Sequence, residues 1–345
     1  MLAIFLQTLP FFALIGIGFA AARTGFIPQE ARPYLTTFVF YFALSAMLFR
    51  FASSLSVTQL WDGQFFLAYL CGCLIIYILT QAVGMIRGEG WAVSAIEAQC
   101  SIIGNVGFMG IPMLVLLFGE AAAGPVLFVL AIDLIVFGTL IVMSITASRE
   151  GRISPEAIQR VIGSIFKNPM VMSIALGLAW GATGIATPSY IDVFLTQLAG
   201  AATPCALFVI GMSLASPSAE RVSVALWLSF LKLAAFPVIV AIMSLVVFDV
   251  DPFDAAVMIA AAAMPTAGNI YIIAQHFSVA PERASSTIFI STVISIITLT
   301  LWIAYTKSEA FAVDQISQNA EANQTALHAV LEGQRTTSNI IQVST

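Results

Sequence analysis

Two stretches of this 345-residue sequence hold the residue types that do chemistry where a helix is interrupted. The first, Ser101-Ile-Ile-Gly-Asn-Val-Gly-Phe-Met-Gly-Ile-Pro112, gathers Gly104, Asn105, Gly107, Gly110 and Pro112. The second, Ala263-Met-Pro-Thr-Ala-Gly-Asn-Ile-Tyr271, gathers Pro265, Thr266, Gly268 and Asn269. Glycine weakens a helix interior and proline removes a backbone donor. In a lipid-like medium, irregular backbone survives only against protein or a wet cavity, because unpaired peptide groups are costly there. A break leaves amides free at one half's N-terminus, which attract anions. It leaves carbonyls free at the other half's C-terminus, which attract cations. The amides of Asn105 and Asn269 both donate and accept, so they complete either kind of shell. Asn105, Gly107, Gly110, Pro112, Pro265, Thr266, Gly268 and Asn269 are therefore the candidate ligand-binding residues. No Lys or Arg is expected mid-span near the breaks, so an anion is expected to rest on helix ends and amides, not on an arginine clamp.

Three ionisable residues are candidates for carrying a coupling ion. Glu97 lies eight residues before Asn105, about 12 Å along a helix. It is either a proton site or an interface residue facing water. Asp133, in Ala131-Ile-Asp-Leu-Ile, is either a proton site or paired structurally to a neighbouring helix. His276, after the second break, is either a gate or an interface histidine. Asp192 reads as a helix cap or first-turn charge. Cys71, Cys73, Cys100 and Cys205 all fall in apolar segments and read as free thiols. Cys71 and Cys73, two apart, point to different faces of a helix. Neither a disulfide nor a metal site is implied. With two histidines in all, His276 and His328, no nucleophile-and-base set or metal cluster is legible, and an enzyme is not expected.

The elements that position these residues follow from composition. The chain is 60% hydrophobic and 9% charged, with mean hydropathy +0.99, against about 25% charged residues in a soluble domain. It needs lipid as solvent. A net charge of −5 with no basic run speaks against nucleic acid. Ten apolar segments are expected to span: 4–22, 34–49, 65–85, 93–118, 125–145, 169–185, 193–214, 224–248, 255–277 and 287–305. The fourth and ninth contain the breaks. The segment before Phe12 has no Lys or Arg, unlike a signal peptide, and reads as a retained first helix.

Turn chemistry separates the spans at Thr24-Gly25, Trp61-Asp62-Gly63, Arg87-Gly-Glu-Gly90 and Ser216-Pro-Ser218. A short surface helix is expected at 154–166, and part of the polar tail, 310–331, is helix-compatible. With the N-terminus outside the cytoplasm, the inside loops hold Arg23, Arg32, Arg87, Arg149, Arg152, Arg160, Lys167, Arg221, Lys232 and Arg283. The outside holds Arg50, Lys307 and Arg335. The positive-inside rule favours that orientation, with both termini periplasmic across an inner membrane. The expected organisation is a first repeat at 1–146, a cytoplasmic linker at 147–168, a second and inverted repeat at 169–306, and a polar tail at 307–345. An odd number of spans per repeat inverts the second, and paired breaks in matching positions point to a binding site at the midplane.

These residues resemble the auxin efflux carrier family. Gly-Phe-Met-Gly-Ile-Pro (107–112) with Leu-Leu-Phe-Gly (116–119) is similar to that family's first crossover. Met264-Pro-Thr-Ala-Gly-Asn-Ile-Tyr-Ile-Ile-Ala274, Ala284-Ser-Ser and Ser291-Thr-Val-Ile-Ser295 are similar to the second. Lys167-Asn-Pro169 and Thr203-Pro-Cys-Ala-Leu-Phe-Val-Ile-Gly211 also match, and the resemblance runs from residue 1 to about 306. It implies an all-α membrane fold of two five-helix inverted repeats with crossed broken helices, similar to bile-acid symporters, and an elevator-type motion against a scaffold. It also implies a carboxylate substrate: bacterial members are mostly described as permeases for malonate or other organic acids, and plant members export auxin. The family often carries a proline in its second span. Here that span reads Phe40-Tyr-Phe-Ala-Leu-Ser45, while Pro204 is present in the seventh.

The expected activity is thus secondary transport of organic anions, coupled to Na+ or H+ and needing no other cofactor. Elevator folds are often homodimers. A cation exchanger of similar architecture is the alternative, and it would place paired carboxylates at the crossing. A channel would show a polar stripe or ring of charges, and none is legible.

Overall fold

A computed structural model describes residues 2–54, 62–150, 163, 166–215 and 222–308. The expected tail helix at 310–331, the joint at 216–218, and Arg152, Arg160, Arg221, His328 and Arg335 lie outside the described residues, as does nearly all of the surface helix expected at 154–166. Among the described residues every regular element is helical.

Among the described residues, seven helices are long and apolar enough to cross a membrane: α1 (Ile4–Arg23), α2 (Gln29–Ser53), α3 (Gly63–Ile86), α6 (Glu120–Ser148), α8 (Ser189–Leu214), α9 (Val222–Val247) and α12 (Pro281–Ser308). The other helices are shorter. The expected fourth span is two pieces, α4 (Trp91–Ile102) and α5 (Val106–Phe118). The expected ninth is α10 (Pro252–Ala262) and α11 (Asn269–His276). The expected sixth, α7 (Pro169–Ala182), has 14 residues, roughly 21 Å of helix against the ~30 Å hydrocarbon core.

Local chemistry explains where helices begin. Asp62, Asn168 and Asp251 each stand just before a helix and accept its first free amides: Gln64 at 2.8 Å, Met170 at 2.9 Å and Phe253 at 2.9 Å, respectively. Pro169 and Pro252 follow two of these caps at the position where a missing N–H costs nothing. Gly88 turns the chain after α3 with a positive φ of 80° that side chains resist. Asp192 lies in the first turn of α8, as expected, and pairs with Arg50 of α2 at 3.1 Å.

Apolar burial does not by itself press helices together in lipid, so close approach through small residues does much of the packing. α1 lies against the C-terminal half of α8. A Cβ on Gly18 would strike the Phe208 carbonyl, and one on Gly211 would strike the Ile15 carbonyl. α7 lies against the end of α2 in the same manner, where a Cβ on Gly177 would stand 2.6 Å from the Phe49 carbonyl. Between α3 and α9, Gly72 faces Val240 and Tyr69 packs near Phe236, with ring centroids 6.1 Å apart.

One expectation is corrected here. Lys232 is not a loop residue. It lies well inside α9, fully buried, and so leaves the set of basic residues expected in inside loops. Its aliphatic stem let it pass within an apolar run, Trp227 to Phe236, without ending the helix.

Candidate functional site

The two interruptions meet. The Asn105 amide donates to the Pro265 carbonyl at 2.8 Å, and the Ala267 amide donates to the Ile103 carbonyl at 3.0 Å. Gly104 and Thr266 thereby form an isolated antiparallel bridge between chain segments over 160 residues apart. Each break thus supplies partners that the other lost by leaving helical geometry, which answers the backbone requirement of an apolar interior.

The carbonyls at the two half-helix ends are satisfied differently. In a continuous helix, Gly104 would donate to Cys100 and Thr266 to Ala262. Instead the Thr266 hydroxyl donates to the Cys100 carbonyl at 2.9 Å, while the Thr266 amide turns to Ser291 Oγ at 3.1 Å. The Ala262 carbonyl, at the last residue of α10, receives the Lys232 ammonium. That ammonium also lies 4.8 Å from the Phe236 ring centroid. A Cβ on Gly104 would come within 3.3 Å of Lys232 Nζ. The expectation that no Lys or Arg lies mid-span near the breaks is therefore overturned. A lone lysine in an apolar decapeptide was the available signal.

A cavity of about 620 Å³ opens beside the second break. Gly268, Asn269, Ile270 and Tyr271, at the start of α11, line one wall. Asp133 and Thr139 of α6, Gln99 of α4 and Arg32 of α2 line others. Four buried polar atoms among these residues have no hydrogen-bond partner in the described structure: Asn269 Oδ1, Asp133 Oδ2, Gln99 Oε1 and Thr139 Oγ1. Buried polar atoms without partners are rare and are costly unless water or a ligand serves them. The other oxygen of Asp133 accepts the Tyr69 hydroxyl at 2.9 Å, and Gln99 donates to the Phe137 carbonyl at 3.1 Å. Asp133 begins a π-helical turn, Asp133–Phe137, a local widening common at functional sites.

The remaining candidates lie elsewhere. Thr266 is buried and spent on the bridge between the breaks, and Pro265 contributes its carbonyl there. Gly107 admits the Met170 side chain, 2.9 Å from where its Cβ would stand. Gly110 sits close under Val106, and Pro112 is in the first turn of the helix beginning at Ile111. Asn105 is buried beside the bridge, its Oδ1 without a partner, and does not line the cavity. His276 is exposed, edge-on to Phe277, and outside the cavity.

Glu97 is also outside the cavity. Its side chain is 0% exposed, which is not the water-facing alternative. Arg87 and Arg283 both donate to it, and Arg283 also reaches Glu89 at 3.0 Å.

Arg32 and Gln99 entered no site reading of the sequence. Arg32 looked like an ordinary cytoplasmic charge. Among the described residues it is the one Lys or Arg that lines the cavity, and none of the ion pairs found includes it. Gln99 was the available polar residue six positions before Asn105.

Among the described residues no cluster of three or more His, Cys, Asp or Glu is arranged to hold a metal ion. Residues 3–303 match the family described as membrane transport protein. A protein of Rhizobium meliloti (strain 1021) named "Putative malonate transporter" is 30% identical over 309 residues, which cover 89% of this chain and 97% of that one. Uncharacterized transporters of Methanocaldococcus jannaschii and Methanothermobacter thermautotrophicus are each 23% identical, over 84% of this chain and 94% of theirs.

Proposed function

The chain belongs to the membrane transport protein family, whose auxin efflux carrier motifs it bears, and from that premise we propose that it is a secondary carrier of small carboxylates, with malonate the first candidate. The observation that carries this reading is the cavity at the second break. Its wall is the N-terminal turn of α11, where the helix dipole favours negative charge. Asn269 adds an amide, and Arg32 adds the guanidinium that pairs with a carboxylate in two-pronged fashion. The name of the Rhizobium relative supports malonate as the first compound to try.

The mechanism we infer is an elevator. α1 against α8 and α7 against α2 repeat one glycine-mediated contact in two places, as two inverted repeats at 1–146 and 169–306 would. These four helices form the scaffold, and the joined breaks form the moving part. The carrier sits in an inner membrane with periplasmic termini, working as a homodimer and coupled through Asp133, which lines the cavity and keeps one oxygen without a hydrogen-bond partner. A cation exchanger is the second reading, carried by that same Asp133.

The test is a thermal-shift screen of purified protein with malonate, other di- and monocarboxylates, indole acetate and sodium across pH 5 to 8. A ligand that binds only the folded state raises the melting temperature. Carboxylate-specific stabilisation supports the carrier. Stabilisation by sodium or pH alone would replace it with the exchanger.

A further inference from the structure

The carbonyl end of a half-helix at a transporter's break is the place where coupling cations are held, because unwound carbonyls and the negative dipole end converge there. In this chain, that end at Ala262 already holds a positive group. Pro265 brings no N–H to the ladder, and Thr266 sends its amide to Ser291. The carbonyl of Ala262 is thereby released, and the ammonium of fully buried Lys232 takes it. The same ammonium lies beside Gly104 of the first break, so it stands where the two interruptions join. The Phe236 ring near that ammonium packs close to Tyr69 of α3, whose hydroxyl donates to Asp133 of α6. At the matching end of α4, the Cys100 carbonyl receives only a neutral hydroxyl. The charge is therefore peculiar to α10 and is not a general requirement of a broken helix.

We infer that Lys232 is a resident cation filling the coupling-ion seat at the crossing, so that the chain carries its substrate without a sodium ion. This rests on the carrier reading above, and it goes further by removing sodium from the transported set. A three-donor ammonium on a flexible stem can replace a monovalent cation among carbonyl oxygens. Being tethered to α9, it cannot leave with the substrate.

The experiment uses purified full-length protein in detergent. Melting temperature is measured in choline, potassium, sodium and methylammonium chlorides at matched ionic strength, for wild type, Lys232→Ala and Lys232→Arg. Wild type is expected to melt at one temperature in all four salts. Lys232→Ala is expected to melt several degrees lower in choline and to recover, saturably, with sodium or methylammonium, because the carbonyl end then takes a free cation. Lys232→Arg, which keeps the charge, is expected to be indifferent to the salts. A saturable sodium-specific stabilisation of wild type overturns the inference, and so does a folded Lys232→Ala that ignores every cation. If Lys232→Ala does not fold, the wild-type sodium titration decides alone. Malonate is a separate arm: if no carboxylate stabilises wild type, the carrier reading fails while the salt arms still report on the seat.

Discussion

Arg283 Nη1 lies 2.5 Å from Glu97 Oε1 and joins the start of α12 to the middle of α4 through a carboxylate with no exposure to solvent. Arg87 holds the other oxygen of Glu97, and Arg283 also holds Glu89. The group ties three segments at one end of the bundle and stands apart from the cavity. Losing one partner of a buried ion pair costs about 3–5 kcal/mol.

Arg283→Met and Glu97→Gln are therefore expected to lower the melting temperature of the purified protein by several degrees, while the folded fraction still binds carboxylate. A Glu97→Gln protein with wild-type stability but lost pH dependence of uptake would instead make Glu97 the proton site.

Asn269→Ala is expected to abolish the malonate-dependent rise in melting temperature and to stop uptake into proteoliposomes, with membrane insertion unchanged. Asn105→Ala, which keeps the backbone amide of the bridge and removes the buried side-chain amide beside it, is expected to stop uptake as well. Wild-type uptake by either variant counts against placing the substrate at the joined breaks.

Arg32 divides dicarboxylates from monocarboxylates on the carrier reading. A hydrogen bond to a charged group contributes about 1.5–3 kcal/mol, or roughly 10- to 100-fold in affinity. Arg32→Gln is expected to weaken malonate by that factor and to leave a monocarboxylate nearly unaffected. Equal losses for both would remove Arg32 from recognition.

Asp133→Asn keeps a side chain that still accepts the Tyr69 hydroxyl, but it cannot hold a coupling proton. Exchange of labelled for unlabelled substrate is expected to persist, while accumulation driven by an acid gradient disappears. Retained gradient-driven accumulation would rule out Asp133 as the coupling carboxylate.

The contact between α1 and α8 can be tested without touching the site. Gly18→Ala places a methyl against the Phe208 backbone, whereas Gly16→Ala, two residues away, meets nothing within 4 Å. Gly18→Ala is expected to destabilise by about 1–3 kcal/mol, the usual cost of overpacking. Gly16→Ala is expected to be neutral or slightly stabilising. Equal melting temperatures would show that the helices do not need this close approach.

By itself, the sequence determined the class of protein, the positions of its helices and where two of them stop. Those features are local. Hydropathy over about 20 residues marks a span, Asp62, Asn168 and Asp251 mark helix starts, and Gly104, Pro265 and Gly268 withdraw what a helix needs at that very point. The candidate site was legible only in part: Gly268, Asn269 and Asp133 line the cavity, while Thr266, Glu97 and His276 do not. A polar residue in an apolar run announces that it needs a partner, not which partner it has. Glu97 finds its partner in Arg283, and Lys232 finds the Ala262 carbonyl, across separations of 186 and 30 residues. Arg32 reads as a loop charge until the chain folds a cavity against it. Such pairings depend on which helices pack side by side, and only the tertiary structure decides that, because the contact energies belong to surfaces distant in the chain.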